Sequence, residues 1–446
     1  MHTLGCPKNQ VDSDKIVGLL TADGLAHVST DEQADLVIVN TCAFVEEARQ
    51  ESIDTILALA ESKAPEASLV VTGCLAQRYG TELQEHLPEI DHVAGFGAAL
   101  TSAGHNTTTP VQLGRRQAPL SESAQSAQPS QKAAQKAAQK VPEFDLLNLP
   151  RPASPRPWAY VKIAEGCDRA CGFCAIPSFR GPQRSRDIRQ ILDEVDQLEA
   201  AEIVLVAQDL AAYGRDQGRG ERRIVPLIEA VAQRVPRTRL LYLYPSDLND
   251  ALIDAICATG VPYFDLSLQH VSPPLLRRMR RWGDGERFLA KIEAIRSREP
   301  EAAFRSNFIV GYPGETETDH DLLLRFVQQA QLDWCGFFAY SEEEGTYSAS
   351  LDGKVDPALR SQRLTELTEL QDSITAQRRD MLIGRSVEVL VDEPGVGRTH
   401  REAPEIDGVV NLSPELSAEL PAGTFAQVIV TGAFGCDLEA ATVATS

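Results

Sequence analysis

The sequence predicts an α/β protein in three folded parts: an open parallel sheet over residues 1–100, a partial (β/α)6 barrel over 158–378, and a small antiparallel β-barrel over 379–446. Three observations lead there. Short β-branched runs alternate with helix-period patterns in the first two parts, the order that builds parallel sheets. A low-complexity stretch over 101–157 separates them. The last part changes to short alternating strands broken by Gly and Pro.

In the first part, Asp35–Asn40 (DLVIVN) and Ser68–Thr72 (SLVVT) read as buried parallel strands, with a helix over Glu46–Ser62 between them. Each strand runs into a cysteine, Cys42 in VIVNTCAF and Cys74 in LVVTGCLA. Cys6, in TLGCPKN, follows a first strand shortened to the few residues before Leu4. Open parallel sheets bind ligands beyond the carboxyl ends of their strands. Three cysteines at strand ends would therefore converge on one edge, although more than thirty residues separate each from the next. Buried thiols of no function are common; the shared placement favours one iron–sulfur cluster held by Cys6, Cys42 and Cys74.

The linker repeats Ala, Gln, Lys and Ser (AQSAQPSQKAAQKAAQK) and ends in PRPASPRP. It is helical at most in its Ala/Lys part and extended in its Pro part, and carries no chemistry.

The middle part offers strands at Tyr160–Ala164, Ile203–Ala207, Leu240–Tyr244, Tyr263–Leu268, Phe304–Val310 and Trp334–Tyr340. Helical patterns lie between them, among them Ile188–Ala200, Leu248–Thr259 and Asp319–Gln331. Barrels of this kind gather their chemistry at the strands' carboxyl ends. Those ends read Glu165-Gly166-Cys167, Gln208-Asp209, Pro245-Ser246-Asp247, Gln269-His270 and Gly311–Glu315.

Just past the first of these strands stands Cys167-x3-Cys171-x2-Cys174. Thiolates so spaced wrap one soft metal centre. A zinc knuckle would need a fourth Cys or His at ligand spacing, and none lies in the sixty residues after Cys174. A four-iron cluster takes four thiolates; three leave one iron open to a small molecule. Cys257, Cys335 and Cys436 lack partners at ligand spacing and read as core or surface thiols, and Trp334 and Phe337–Phe338 as core.

In the last part, SVEVLVD, GRTHREAPEIDGVV and GTFAQVIVTGAFGCDLEA supply the strands. Small barrels often bind nucleic acid, but three Arg and no Lys stand here against ten Asp plus Glu from Met381 to Ser446. Phosphate backbones are bound by Lys and Arg. The whole chain carries −21 at a pI of about 4.9, a poor match for RNA and a better one for a basic partner. No stretch is apolar and long enough to span a bilayer, and MHTLGCPKNQ lacks the basic-then-apolar order of a secretory signal. Nine cysteines then point to a reducing cytoplasm and metal ligation.

The triplet loop, KIAEGCDRACGFCAIPSFRG, resembles the signature of radical S-adenosylmethionine (SAM) enzymes. With TLGCPKNQVDSD, NTCAFVEEA, TGCLAQRY, YFDLSLQH, NFIVGYPGET and GRTHREAPEIDG, nearly the whole chain outside the linker resembles the methylthiotransferases, and within them the branch acting on a ribosomal protein. The resemblance implies an N-terminal iron–sulfur domain, a radical SAM barrel and a C-terminal barrel of the TRAM type. It implies two [4Fe–4S] clusters, with SAM bound and cleaved to a 5′-deoxyadenosyl radical at the open iron of the Cys167–Cys171–Cys174 cluster. It implies as substrate an aspartate β-carbon in the basic twelfth protein of the small ribosomal subunit, free or in the ribosome. A low-potential electron donor and a sulfur donor would be further partners. Phe173, Gln208, Asp209, Arg305 and Asn307 match positions where such enzymes contact SAM; each is equally a polar or packing residue at a strand end. A transfer-RNA adenosine methylthiotransferase has a similar layout. Its barrel typically carries an Asn-containing stretch after GRT, where Glu405-Ile406-Asp407-Gly408 stands here, an acidic character expected to suit a basic protein.

Overall fold

A computed structural model describes residues 1–98 and 145–442, apart from positions 29, 97 and 219. The bulk of the low-complexity linker, 101–144, lies outside the described residues. The chain divides into two compact units, Met1–Pro152 and Ala153–Ser446.

The first unit is a four-stranded parallel sheet in the order β1 (His2–Thr3), β2 (Leu36–Thr41), β3 (Ser68–Gly73), β4 (His92–Ala94). The central strands are buried over nearly their whole length, which is why they read as unbroken apolar runs. The helix between them spans Glu46–Ser62, as its periodicity predicts, with Glu46 and Glu47 in its first turn. Leu146–Arg151, at the end of the linker, pack onto this unit. Lys15 Nζ donates to Leu147 O (2.5 Å), and Arg151 pairs with Asp14 (2.8 Å).

The second unit opens with β5 (Trp158–Lys162), followed by a short hairpin of β6 (Ala164–Glu165) and β7 (Arg184–Ser185). Then come β8 (Glu202–Val206), β9 (Arg237–Leu240), β10 (Tyr263–Gln269), β11 (Ala303–Val310) and β12 (Trp334–Ala339). They form two parallel three-stranded sheets, β5-β8-β9 and β10-β11-β12, joined by one parallel bridge, Leu243↔Leu266. The six predicted strands are present. The third lies earlier than expected because Tyr242 turns to a left-handed φ of 67°, its N–H donating to Asp265 Oδ2 (2.9 Å). One core runs through the whole barrel, from Val161 on β5 to Phe308 on β11 and Ile374 on the long helix Pro357–Asp380.

The last 60 or so described residues close a barrel in the order β13 (Ser386–Glu393), β14 (Val396–Arg398), β15 (Val410–Leu412), β17 (Asp437–Thr442), β16 (Phe425–Phe434). Four of its seams are antiparallel as expected, and the β15–β17 seam is parallel. Closure leaves no unpaired edge.

Candidate functional site

In the first unit the cysteines stand at successive strand ends. Cys6 caps the helix Pro7–Ala22, Cys42 follows β2, and Cys74 opens the helix after β3. Gly5 has a φ of 92°, and a Cβ there would lie 2.9 Å from Cys42 Sγ, so only glycine lets the two loops meet this closely. Asn9 locks the three ends together. Its Nδ2 donates to Leu4 O (2.9 Å) and Thr41 O (3.0 Å), and its Oδ1 faces Cys74 Sγ at 3.8 Å. Ser52 braces Cys42 through the backbone on both sides (3.1 and 3.0 Å).

In the second unit the Cys167–Cys174 loop sits past the carboxyl end of β5. A Cβ on Gly166, whose φ is 78°, would stand 2.2 Å from Pro182 O, so the turn into the loop requires glycine. Gly172 N donates to Met279 O and Gly172 O accepts from Ser348 N, both at 2.8 Å, which straps the loop from two sides. Burial pushes the Cys167 thiol up to about 11 and that of Cys174 to about 12, and each neighbouring cysteine adds to the rise. Held this way, these two sulfurs carry negative charge readily only beside a cation, as metal coordination supplies. Donors already point at them: Arg169 N to Cys167 Sγ and Arg281 Nη1 to Cys171 Sγ, both at 3.4 Å. Among the described residues no three Cys, His, Asp or Glu lie close enough to hold a single ion; cysteines of a cubane each take a different iron.

The neighbouring strand ends form two charged networks. Glu165 receives Lys162 Nζ (2.6 Å), Arg180 on both oxygens (3.0 Å) and Gln208 Nε2 (2.6 Å). Against burial, Arg180 and Lys162 hold its carboxyl well below the usual range. Arg169 Nε donates to Asp209 (2.6 Å) and its Nη2 reaches Asp247, which also takes Arg222 (2.5 Å). Gln208 Oε1 and Asn307 Oδ1 are buried acceptors without a hydrogen-bond partner among the described residues. Phe173 packs half-buried against the barrel core.

Arg305 is placed differently. It lies near the start of β11, where its guanidinium pairs with Asp407 of the terminal barrel and approaches Asp265 (4.0 Å). His270, fully buried after β10, accepts from Ser272 N at Nδ1 (3.0 Å), and burial lowers it to about 4, so it is a neutral side chain. Phe337 stacks on Phe308, and Trp334 is buried, but Phe338 is 50% exposed rather than core, because it alternates with Phe337 and lies on the other face of β12, the face it shares with Gly336 and Asn307. The acidic stretch Glu405–Gly408 is not presented to a partner as expected: the Asp407 side chain is fully buried, and Glu405, the exposed one, pairs with Arg156.

Three family models cover the chain: the uncharacterized protein family UPF0004 over residues 1–95, the radical SAM superfamily over 161–327 and the TRAM domain over 383–443. The chain is 41% identical to the ribosomal protein uS12 methylthiotransferase RimO of Kineococcus radiotolerans, over 98% of this chain and 95% of that protein. It is 40% identical to the RimO of Cutibacterium acnes (98% and 96%) and 42% identical to that of Moorella thermoacetica (96% and 95%). The chain belongs to the RimO family of radical SAM methylthiotransferases. As a radical SAM enzyme of that family it uses a [4Fe–4S] cluster and SAM. The Cys167–Cys171–Cys174 loop fits the cluster: three thiols on one strapped loop, two of them, Cys167 and Cys174, pushed up by burial, donors aimed at two of the sulfurs, and two orphaned buried acceptors at neighbouring strands. Sequence reading missed the contacts of Arg169, Tyr244, Arg281 and Asn9 around the two cysteine trios. Arg169 lies inside the triplet and Tyr244 at a predicted strand end; nothing in the local pattern marked Arg281.

Proposed function

We propose that this chain adds a methylthio group to the β-carbon of an aspartate in uS12. The observation that carries this reading is its identity of about 40% to uS12 methylthiotransferases across both cysteine-bearing units. When bound, the cluster and SAM supply the radical that abstracts hydrogen from an unactivated carbon, and SAM the methyl group. Cys6, Cys42 and Cys74 would hold a second [4Fe–4S] cluster that carries or donates sulfur, fed by an external sulfur donor. Their common strand-end placement and their shared clamp, Asn9, support it. A low-potential one-electron donor serves the first cluster.

Phe173, Gln208, Asp209 and Asn307 are proposed to position SAM, with Gln208 Oε1 and Asn307 Oδ1 offering acceptors that no donor among the described residues uses. Arg305 stands apart, because its guanidinium already answers Asp407. Recognition of a basic protein rests on the exposed acids of the terminal barrel, Glu388, Glu393, Glu415, Glu419 and Glu439, rather than on the buried ones. No helix among the described residues is long and apolar enough to cross a membrane. The test is mass spectrometry of uS12 and transfer RNA from cells with and without the gene. A methylthio increase on uS12 that depends on the gene is expected; an increase on transfer RNA instead would overturn the reading.

A further inference from the structure

Arg281 meets the cysteine loop in an arrangement unlike the other arginines near it. Its Nη1 lies 3.4 Å from Cys171 Sγ, while Nη2 donates to Ser267 O on β10. Its guanidinium lies over one face of Tyr244, 3.9 Å from the ring centroid. Arg169 lies over the same ring, also at 3.9 Å, and is held by Asp209 and Asp247. The ring, four residues past β9, thus serves as a stop that fixes Arg281 against both a backbone carbonyl and the sulfur. Two acids neutralise Arg169; no carboxylate pairs with Arg281 among the described residues' ion pairs. Its positive charge is therefore directed at Cys171. The backbone beside it is fixed as well: Met279 O accepts from Gly172 N, and Arg280 adopts a left-handed φ of 55° and lies over the Tyr347 ring at 4.0 Å.

We infer that Arg281 is a positioning residue that sets the reduction potential of the radical SAM cluster by donating to the Cys171 sulfur from a seat fixed by Tyr244. The inference rests on the reading that Cys167, Cys171 and Cys174 hold that cluster. A hydrogen bond and a positive charge at a ligand sulfur stabilise the reduced, more negative cluster and raise its potential. The electron itself comes from an external low-potential donor.

The test uses the full chain with Cys6, Cys42 and Cys74 changed to Ala, reconstituted anaerobically so that one cluster is observed. Iron content comes first: about four irons per chain shows that the cluster reading stands, and absence of iron overturns that reading. The midpoint potential is then followed by electron paramagnetic resonance during a redox titration. Arg281→Gln is expected to make reduction at least tenfold less favourable, about 59 mV for one electron. Arg281→Lys, which keeps the charge but loses the fork fixed by Ser267 O and Tyr244, should fall between. Tyr244→Phe keeps the ring and should leave the potential near that of the parent. If Arg281→Gln fails to take up iron, Arg281→Lys decides. A parental potential in every loaded Arg281 variant overturns the inference.

Discussion

Arg305 on β11 and Asp407 in the loop before β15 form an ion pair that joins the amino end of the partial barrel to the terminal barrel, with the Asp407 side chain fully buried. Asp407 also accepts from Tyr263 OH (2.6 Å) and Ala403 N (2.8 Å), so its carboxylate is fully engaged. The same loop answers other strand starts. Tyr160 OH donates to Pro404 O (2.8 Å), Trp334 Nε1 to Arg401 O (2.7 Å), and Arg239 Nη1 to His400 O (3.0 Å). The stretch after GRT is thus a plug for the barrel end opposite the cysteine loop.

Removing one partner of that pair leaves the other charge buried and unpaired, which costs about 3–5 kcal/mol. Arg305→Gln or Asp407→Asn should lower the denaturant midpoint accordingly, and the double variant should cost less than the sum of the two. If Arg305→Gln instead leaves stability intact and weakens SAM binding, Arg305 belongs to the cofactor site after all.

Acid should loosen this same junction. Burial works to raise Glu202 and Glu402. Arg239 and Arg398 nevertheless hold Glu202 at about 2, and Arg379 with Thr399 holds Glu402 at about 2. A carboxyl depressed in the folded state contributes stability fully present above its unfolded value near 4.5. That stability is lost as pH falls through the folded value. Each group contributes on the order of 3 kcal/mol at neutral pH. Stability measured by denaturant should decline from about pH 4.5 toward pH 2, and Glu202→Gln should flatten that decline. A variant whose acid profile matches the parent's would contradict the assignment.

The two cysteine trios should separate by readout. Cys167→Ala, Cys171→Ala or Cys174→Ala is expected to abolish release of 5′-deoxyadenosine from SAM. Cys42→Ala should leave that release in place while no methylthio product forms on uS12. Liquid chromatography with mass detection reads both at once. Full product from Cys42→Ala would remove the second cluster from the scheme.

Much of this was legible in the sequence because the signals were local. The Glu46–Ser62 helix follows from its period, and the triplet's spacing marks one cluster without help from the fold. The first unit's trio needed one tertiary idea, that parallel strands share an edge. What escaped was non-local. Arg281 reaches Cys171 across more than a hundred residues, and Asn9 clamps loops that only the folded sheet brings together. Asp407 looked like surface acid because charge alone does not reveal a buried partner such as Arg305. Phe338 looked like core because two adjacent aromatic residues do not reveal which face of the strand each takes.

The terminal barrel's attachment bears on how its role can be tested. Were it only a reader of substrate, ending the chain at Met381 would leave a monodisperse protein that still cleaves SAM and merely fails to bind uS12. The junction argues otherwise. Trp158, Tyr160, Tyr263 and Trp334 are buried near strand starts, and Arg398, Arg239 and Arg379 lie over the rings of Trp158, Tyr263 and Trp334 at 6.0, 4.5 and 5.0 Å. Truncation would strip Glu202 of Arg398 and Arg379 of Glu402, and uncover apolar side chains at the strand starts. The total loss is comparable with the whole stability of a domain, about 5–15 kcal/mol. The truncated chain should therefore aggregate on size-exclusion chromatography and lose deoxyadenosine release together with uS12 binding. Separating recognition from folding requires charge reversal at exposed acids such as Glu415 and Glu419, which form no ion pair with the junction among the described residues. Those variants should melt like the parent yet bind uS12 more weakly, most clearly at low salt.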